Sequence, residues 1–229
     1  MIELFDLQKV YGEKIALSVD ALKINSNECV GLVGNNGAGK TTMLSLVLDL
    51  IKADKGYVTS KSVKVSGSDT WKTYTGSFLD ERFLIPFLSP QEYLEFIASL
   101  HGRNKSDVEV FLQENERFFN HEDFTGKYIR ELSAGNKNKV GILAAILFKP
   151  EILILDEPFS NLDPSSQAWL KIKLKGLQEA GTTLLISSHD LNHVTEVCNR
   201  IILLEEGGVK KDIYTKAETL PELEAYFNV

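Results

Sequence analysis

Apolar residues fall in short blocks along this chain, and the spacing inside the blocks changes from place to place. Near the start, alternating apolar and polar positions predict two strands, Ile2–Lys9 and Ile15–Ile24, around a Tyr11-Gly12 turn. Three blocks are almost wholly apolar: Cys29-Val30-Gly31-Leu32-Val33, Ile152–Leu155 and Thr183–Ser187. The first reads as a strand. The other two read as buried strands, as in a parallel sheet covered on both faces. Ile201–Leu204 predicts one more strand, and Val58, Val63 and Val65, interrupted by glycines, predict edge strands within residues 56–74. Helical spacing predicts helices from Met43 to about Ile51, through Leu143–Phe148, from Asp163-Pro164 to about Ala180, and from Leu191 to Cys198. Leu220–Val229 predicts a short amphipathic tail.

The section from about residue 77 to 136 differs from its flanks. Ser89-Pro90-Gln91-Glu92 is a capping box with proline at the first helical position. Tyr93, Leu94, Phe96, Ile97 and Leu100 then follow at helical spacing, and His101-Gly102 ends the helix. Ser106 and Glu109 predict the cap of a second helix carrying Val110, Phe111 and Leu112. The section therefore reads as a helical insert between two halves of an α/β core.

The candidate chemistry sits at strand ends. Gly34-Asn35-Asn36-Gly37-Ala38-Gly39-Lys40-Thr41-Thr42 fits G-x-x-x-x-G-K-[ST], directly after the Cys29–Val33 strand and before a helix. That is the context a phosphate-binding loop requires. Glycines let successive N–H groups approach an anion, and the helix dipole favours negative charge there. Lys40 is expected to reach the β- and γ-phosphates, the Thr41 hydroxyl to ligate Mg²⁺, and Thr42 to bond a neighbouring phosphate oxygen. At the end of the Ile152–Leu155 strand, Asp156-Glu157 places two carboxylates at the sheet edge where ligands sit. Asp156 is expected to hold Mg²⁺, usually through water, and Glu157 to accept a proton from an attacking water.

Charge and composition narrow the field. The 229 residues carry a net charge of −7, with 25% charged and 43% hydrophobic positions. This is a globular balance, and it disfavours nucleic acid as a partner because electrostatic binding needs a basic face. Cys29 and Cys198 lie far apart in sequence and predict neither a disulfide framework nor a zinc site. No signal peptide is expected from the acidic opening, and the Gly141–Phe148 run is far short of the ~20 residues a membrane helix needs.

Further motifs carry a resemblance to a known family. Leu132-Ser133-Ala134-Gly135-Asn136 resembles the signature LSGGQ, Ser160-Asn161-Leu162-Asp163 the D-loop, and Ser187-Ser188-His189-Asp190 the switch-histidine segment. In order and spacing with the two motifs above, they make the chain similar over nearly its whole length to the nucleotide-binding subunits of ABC transporters. The most similar are the cassettes of bacterial drug, antibiotic and ABC-2-type exporters. The resemblance implies an α/β fold: a P-loop NTPase core with an antiparallel β subdomain and an inserted α-helical subdomain, in one cassette domain spanning residues 1–229. It implies ATP and Mg²⁺ as cofactors, a head-to-tail dimer with a second cassette, and a separate transmembrane permease. It also implies a cytoplasmic place on the inner face of the membrane and, together with the lack of a C-terminal regulatory domain, export. Ser133, Gly135 and Asn136, with Asp163 of the D-loop, would complete the partner's ATP site. His189 would contact the γ-phosphate and orient water, and Tyr11 would stack on adenine, unless it is a turn aromatic packing locally.

Two departures stand out. The signature ends in Asn136 instead of Gln. The Q-loop glutamine is not obvious, since Gln91 lies too far along; the register of Phe78-Leu79-Asp80-Glu81 suggests Asp80, or failing it Glu81, in its place near the metal. Phe83–Leu88 is an apolar stretch that is either a permease contact or core. Two rival readings are a soluble ABC ATPase acting on ribosomes or DNA, and a subunit gated by nucleotide that barely turns it over.

Overall fold

The computed structural model describes residues 1–119 and 124–227. Residues 120–123 of the helical insert, and Asn228 and Val229 of the expected tail, lie outside the described residues. Two sheets build the core. The smaller is antiparallel: β1 (Ile2–Tyr11) pairs with β2 (Lys14–Ile24) on one side and with β4 (Lys55–Ser60) on the other, and β5 (Val63–Lys64) pairs with β4. The strands expected in residues 56–74 therefore differ in kind, because β4 is interior and only β5 is an edge.

The larger sheet has the order β10-β9-β3-β8-β7-β6. Strands β3 (Cys29–Val33), β6 (Thr75–Phe78), β7 (Ile152–Leu155), β8 (Thr183–Ser188) and β9 (Arg200–Glu205) run parallel, and β10 (Gly208–Tyr214) returns antiparallel. Both faces are covered, which explains the wholly apolar strands. In β7, Ile152 and Ile154 enter one core while Leu153 and Leu155 enter the other. The first core lies between the sheets, around Met43 and Leu44 of α1 (Lys40–Val47). The second holds the apolar faces of α4 (Ala134–Ile146), α5 (Pro164–Glu179) and α6 (Leu191–Val197) and reaches into the helical section.

Several boundaries differ from expectation. Ser77 and Phe78 belong to β6, so the helical section begins after the sheet, with α2 (Pro90–Leu100) and α3 (Lys105–Glu114). The α2 capping box is present as predicted. The α3 box is instead made by Asn104 and Asp107, each side chain accepting the other's backbone N–H at 2.9–3.1 Å, with Ser106 already inside the helix. Asparagine caps as well as serine. Helix α1 stops at Val47, ahead of the expected Ile51, where Asp49 turns left-handed. The tail is helical as α7 (Thr219–Phe227), anchored by the buried Leu223. Cys29 and Cys198, distant in sequence, are neighbours in space: both thiols are buried, with 3.3 Å between the sulfurs.

Candidate functional site

β3, β7 and β8 are adjacent and parallel, so their C-terminal ends open onto one edge of the sheet. The loop 34–39 leaves β3 and ends at Gly39, the N-cap of α1, whose φ of 108° suits glycine and where an added Cβ would lie 2.8 Å from the Ala16 carbonyl oxygen. No side chain caps this helix end, which leaves it suited to an external anion. Lys40 folds back over the loop. Its ammonium is buried, donates to the Gly34 carbonyl at 2.6 Å, and stands 3.7 Å from Glu157 Oε1. Clefts of about 540 and 500 Å³ flank Asn35 and Asn36; Gly34 and His189 line the first, Gly37, Ala38 and Ile15 the second.

Thr41 and Asp156 meet, the Thr41 hydroxyl donating to Asp156 Oδ2 at 2.6 Å. Burial pushes the Asp156 carboxyl up from the usual aspartate range, against the hydrogen bonds from Ser187 and Thr41; nearby Glu157 also raises it and Lys40 lowers it. A cation would reverse that balance. One hydroxyl and one carboxylate are hard oxygen donors that suit Mg²⁺. Among the described residues no cluster of three or more His, Cys, Asp or Glu is arranged for a metal. The remaining ligands would thus be phosphate oxygens and water.

Glu157 takes a left-handed φ of 48° at the turn after β7. Its Oε2 accepts the His189 backbone N–H at 3.2 Å and lies 2.7 Å from His189 Nδ1. The structure therefore joins Lys40, Thr41, Asp156, Glu157 and His189 into one constellation. It also gives Ser187, expected only as the end of a strand and the start of the switch-histidine segment, a contact with both Asp156 and Glu157. The Ser187 hydroxyl donates to Asp156 Oδ1 and accepts from the Glu157 N–H at 2.9 Å. The available signal was a hydroxyl pair, Ser187-Ser188, ending a strand with an apolar Leu-Leu-Ile centre.

The signature residues form a second group. Ser133 caps α4, accepting from the Asn136 N–H at 3.3 Å. Gly135 packs so closely on the Asn161 carbonyl that a Cβ would collide with it. Asn138 donates to the Ser160 carbonyl at 2.6 Å, and Lys139 lies 3.5 Å from Asp163, two contacts that sequence reasoning missed. Asp163 caps α5, and hydrogen bonds from Ser165 and Ser166 hold its carboxyl far below the usual range. Among the described residues, no hydrogen bond or ion pair joins this group to residues 34–42.

Asp80 and Tyr11 stand apart from both groups. Asp80 follows β6, the neighbour of β7, at the same sheet edge. Both its oxygens engage Arg82, at 2.9 and 3.0 Å, and Arg82 lowers its pKa. Tyr11 ends β1 with its ring half-exposed and the Lys9 ammonium 5.3 Å from the ring centre. Of the Phe83–Leu88 stretch, Leu84 is core while Phe83 and Phe87 are exposed, with the Arg130 guanidinium 5.1 Å from the Phe87 ring. At the opposite sheet edge, a cleft of about 510 Å³ is bounded by Arg200, whose charge is already met by Asp212 and Glu28.

The ABC transporter family profile matches residues 17–160. The chain is 35% identical over 207 residues to the uncharacterized ABC transporter ATP-binding protein YhaQ of Bacillus subtilis, covering 90% of this chain and 69% of that one. It is 29% identical over 208 residues to the Nod factor export ATP-binding protein I of Rhizobium etli, covering 90% and 66%. Its structure is similar to the dimeric post-hydrolysis state of the ATP-binding cassette MJ0796 bound to ADP and Pi. The TM-score is 0.81 at 27% identity, covering 95% of this chain and all of that one. With its loop, paired carboxylates and signature in one cassette fold, the chain belongs to the ABC transporter family and has the fold of its ATP-hydrolysing cassettes.

Proposed function

We propose that this chain binds MgATP and hydrolyses its β–γ bond to drive a separate transmembrane permease, in the direction of export. The observation that carries the reading is the single constellation of Lys40, Thr41, Asp156, Glu157 and His189 at the ends of three adjacent strands. Residues 34–39 and Thr42 would wrap the phosphates, with Lys40 supplying positive charge to them. Thr41 and Asp156 would hold Mg²⁺, whose chemistry is to neutralise charge on the phosphate oxygens. Glu157 would accept the proton of the attacking water, and His189, already bonded to Glu157, would orient that water. Asp80 would join the metal site only after releasing Arg82. Tyr11 would stack on adenine, and Ile15 lines the cleft that flanks Asn35 and Asn36.

A second cassette would supply Ser133, Gly135, Asn136 and Asp163 across the interface. The support is the separation of the two groups within one chain and the dimeric state of the MJ0796 cassette. Export is supported by the relative named for Nod factor export. Among the described residues no helix is long and apolar enough to cross a membrane. The chain would therefore sit on the inner membrane face through its permease, with Phe83 and Phe87 as the contact. Lys40→Ala tests the site: nucleotide affinity should fall and turnover disappear. Wild-type binding and turnover in this variant would overturn the P-loop assignment.

A further inference from the structure

We propose that Ser187 is a positioning residue that sets both carboxylates of the hydrolysis site through a single hydroxyl. The proposal rests on the ATPase reading of Asp156 and Glu157. Ser187 is fully buried in β8, with no path for its hydroxyl to bond solvent. Its Oγ uses one proton and one lone pair in opposite directions: it donates to Asp156 Oδ1 and accepts the N–H of Glu157. Thr41 takes the other Asp156 oxygen, so the carboxylate plane is fixed from both sides, once from α1 and once from β8. The Glu157 bond acts on a residue at φ 48°, a conformation that L-residues hold only when their surroundings impose it. β8 also delivers His189, two residues on, to the Glu157 carboxylate. One strand end thus fixes the backbone of Glu157 through Ser187 and its side chain through His189. Removing the hydroxyl would leave a buried carboxylate oxygen and the part-buried Glu157 N–H without these partners, and the Glu157 turn would be free to relax.

The test compares Ser187→Ala and Ser187→Thr with wild type and Glu157→Gln. Threonine keeps the hydroxyl and suits a strand. Three quantities are read: affinity for a fluorescent ATP analogue, kcat for MgATP, and hydrogen exchange at the Glu157 amide in nucleotide-free protein. For Ser187→Ala the expected result is near-normal nucleotide affinity, a kcat loss on the order of 100-fold from misplaced groups, and faster exchange at Glu157. Ser187→Thr should restore both kcat and protection. Wild-type kcat in Ser187→Ala overturns the proposal. So does a loss of nucleotide affinity in step with kcat, which marks a merely structural residue. A folded Ser187→Thr that stays as slow as alanine overturns it as well. If Glu157→Gln turns over like wild type, the hydrolysis reading fails instead, and the exchange arm alone decides whether Ser187 holds the turn.

Discussion

Glu157 is held on three sides: by Lys40, by His189 and through its own backbone by Ser187. Its neighbour Asp156 is bonded instead to Thr41 and Ser187, so the two adjacent carboxylates have different partners. Replacing Glu157 by Gln keeps the shape and removes the proposed base. Turnover should fall at least ~100-fold, the low end of general-base contributions, while nucleotide binding persists. Steady-state phosphate release beside equilibrium binding checks this, and a normal rate would take Glu157 out of the chemistry. Asp163 permits a pH prediction. Its folded pKa is depressed by Ser165 and Ser166, so its stabilisation is present above the ordinary value near 3.8 and is lost as pH falls toward the folded value. Asp163→Ala should cost about 1 kcal/mol at neutral pH, as lost N-caps do, and the difference from wild type should shrink below about pH 4. Thermal melts of the two proteins across that range measure it; a gap that widens on acidification would contradict the assignment.

At the scale of elements, the contact between α4 and the loop before α5 joins the signature to the D-loop. Gly135 allows it by lacking a Cβ, and Asn138 fastens it to Ser160. Gly135→Ala should push the start of α4 away from Asn161. ATP binding by the single chain should stay near normal while ATP-induced pairing weakens, as read by sedimentation with and without nucleotide. Unchanged pairing would show that the close approach does not set the interface. The elements legible in the sequence were those with a single strong signal: the P-loop between β3 and α1, the α2 capping box, and the wholly apolar β7 and β8. Those missed had weak or competing signals. β10 follows a two-residue turn, Glu206-Gly207, whose residues both have positive φ. Its polar Lys210, Lys211 and Asp212 hid the strand. β6 is only four residues, Thr-Gly-Ser-Phe, and its place in the sheet depends on pairing with β7, some 75 residues later. Ser187 was visible as a residue but not as a bridge, because its two partners come from the turn that follows β7, a different strand.

At the scale of the whole molecule, the candidate site residues fall into two groups that no hydrogen bond or ion pair joins among the described residues. Lys40, Glu157 and His189 share one sheet edge, whereas Ser133, Gly135, Asn136 and Asp163 share the junction of α4 and α5. In the proposed composite site, ATP is cut between the first group of one chain and the second group of another. Mixing two inactive variants tests it most directly. Ser133→Arg should bind ATP as a monomer but neither pair nor turn over, and Lys40→Ala should fail at nucleotide binding. A mixed dimer has one site with both defects and one with an intact P-loop facing an intact Ser133. Phosphate release from the separate variants and from their mixture should therefore show two near-inactive proteins and a mixture that recovers measurable turnover. Wild-type hydrolysis by Ser133→Arg alone, or a mixture as inactive as its components, would contradict the composite site.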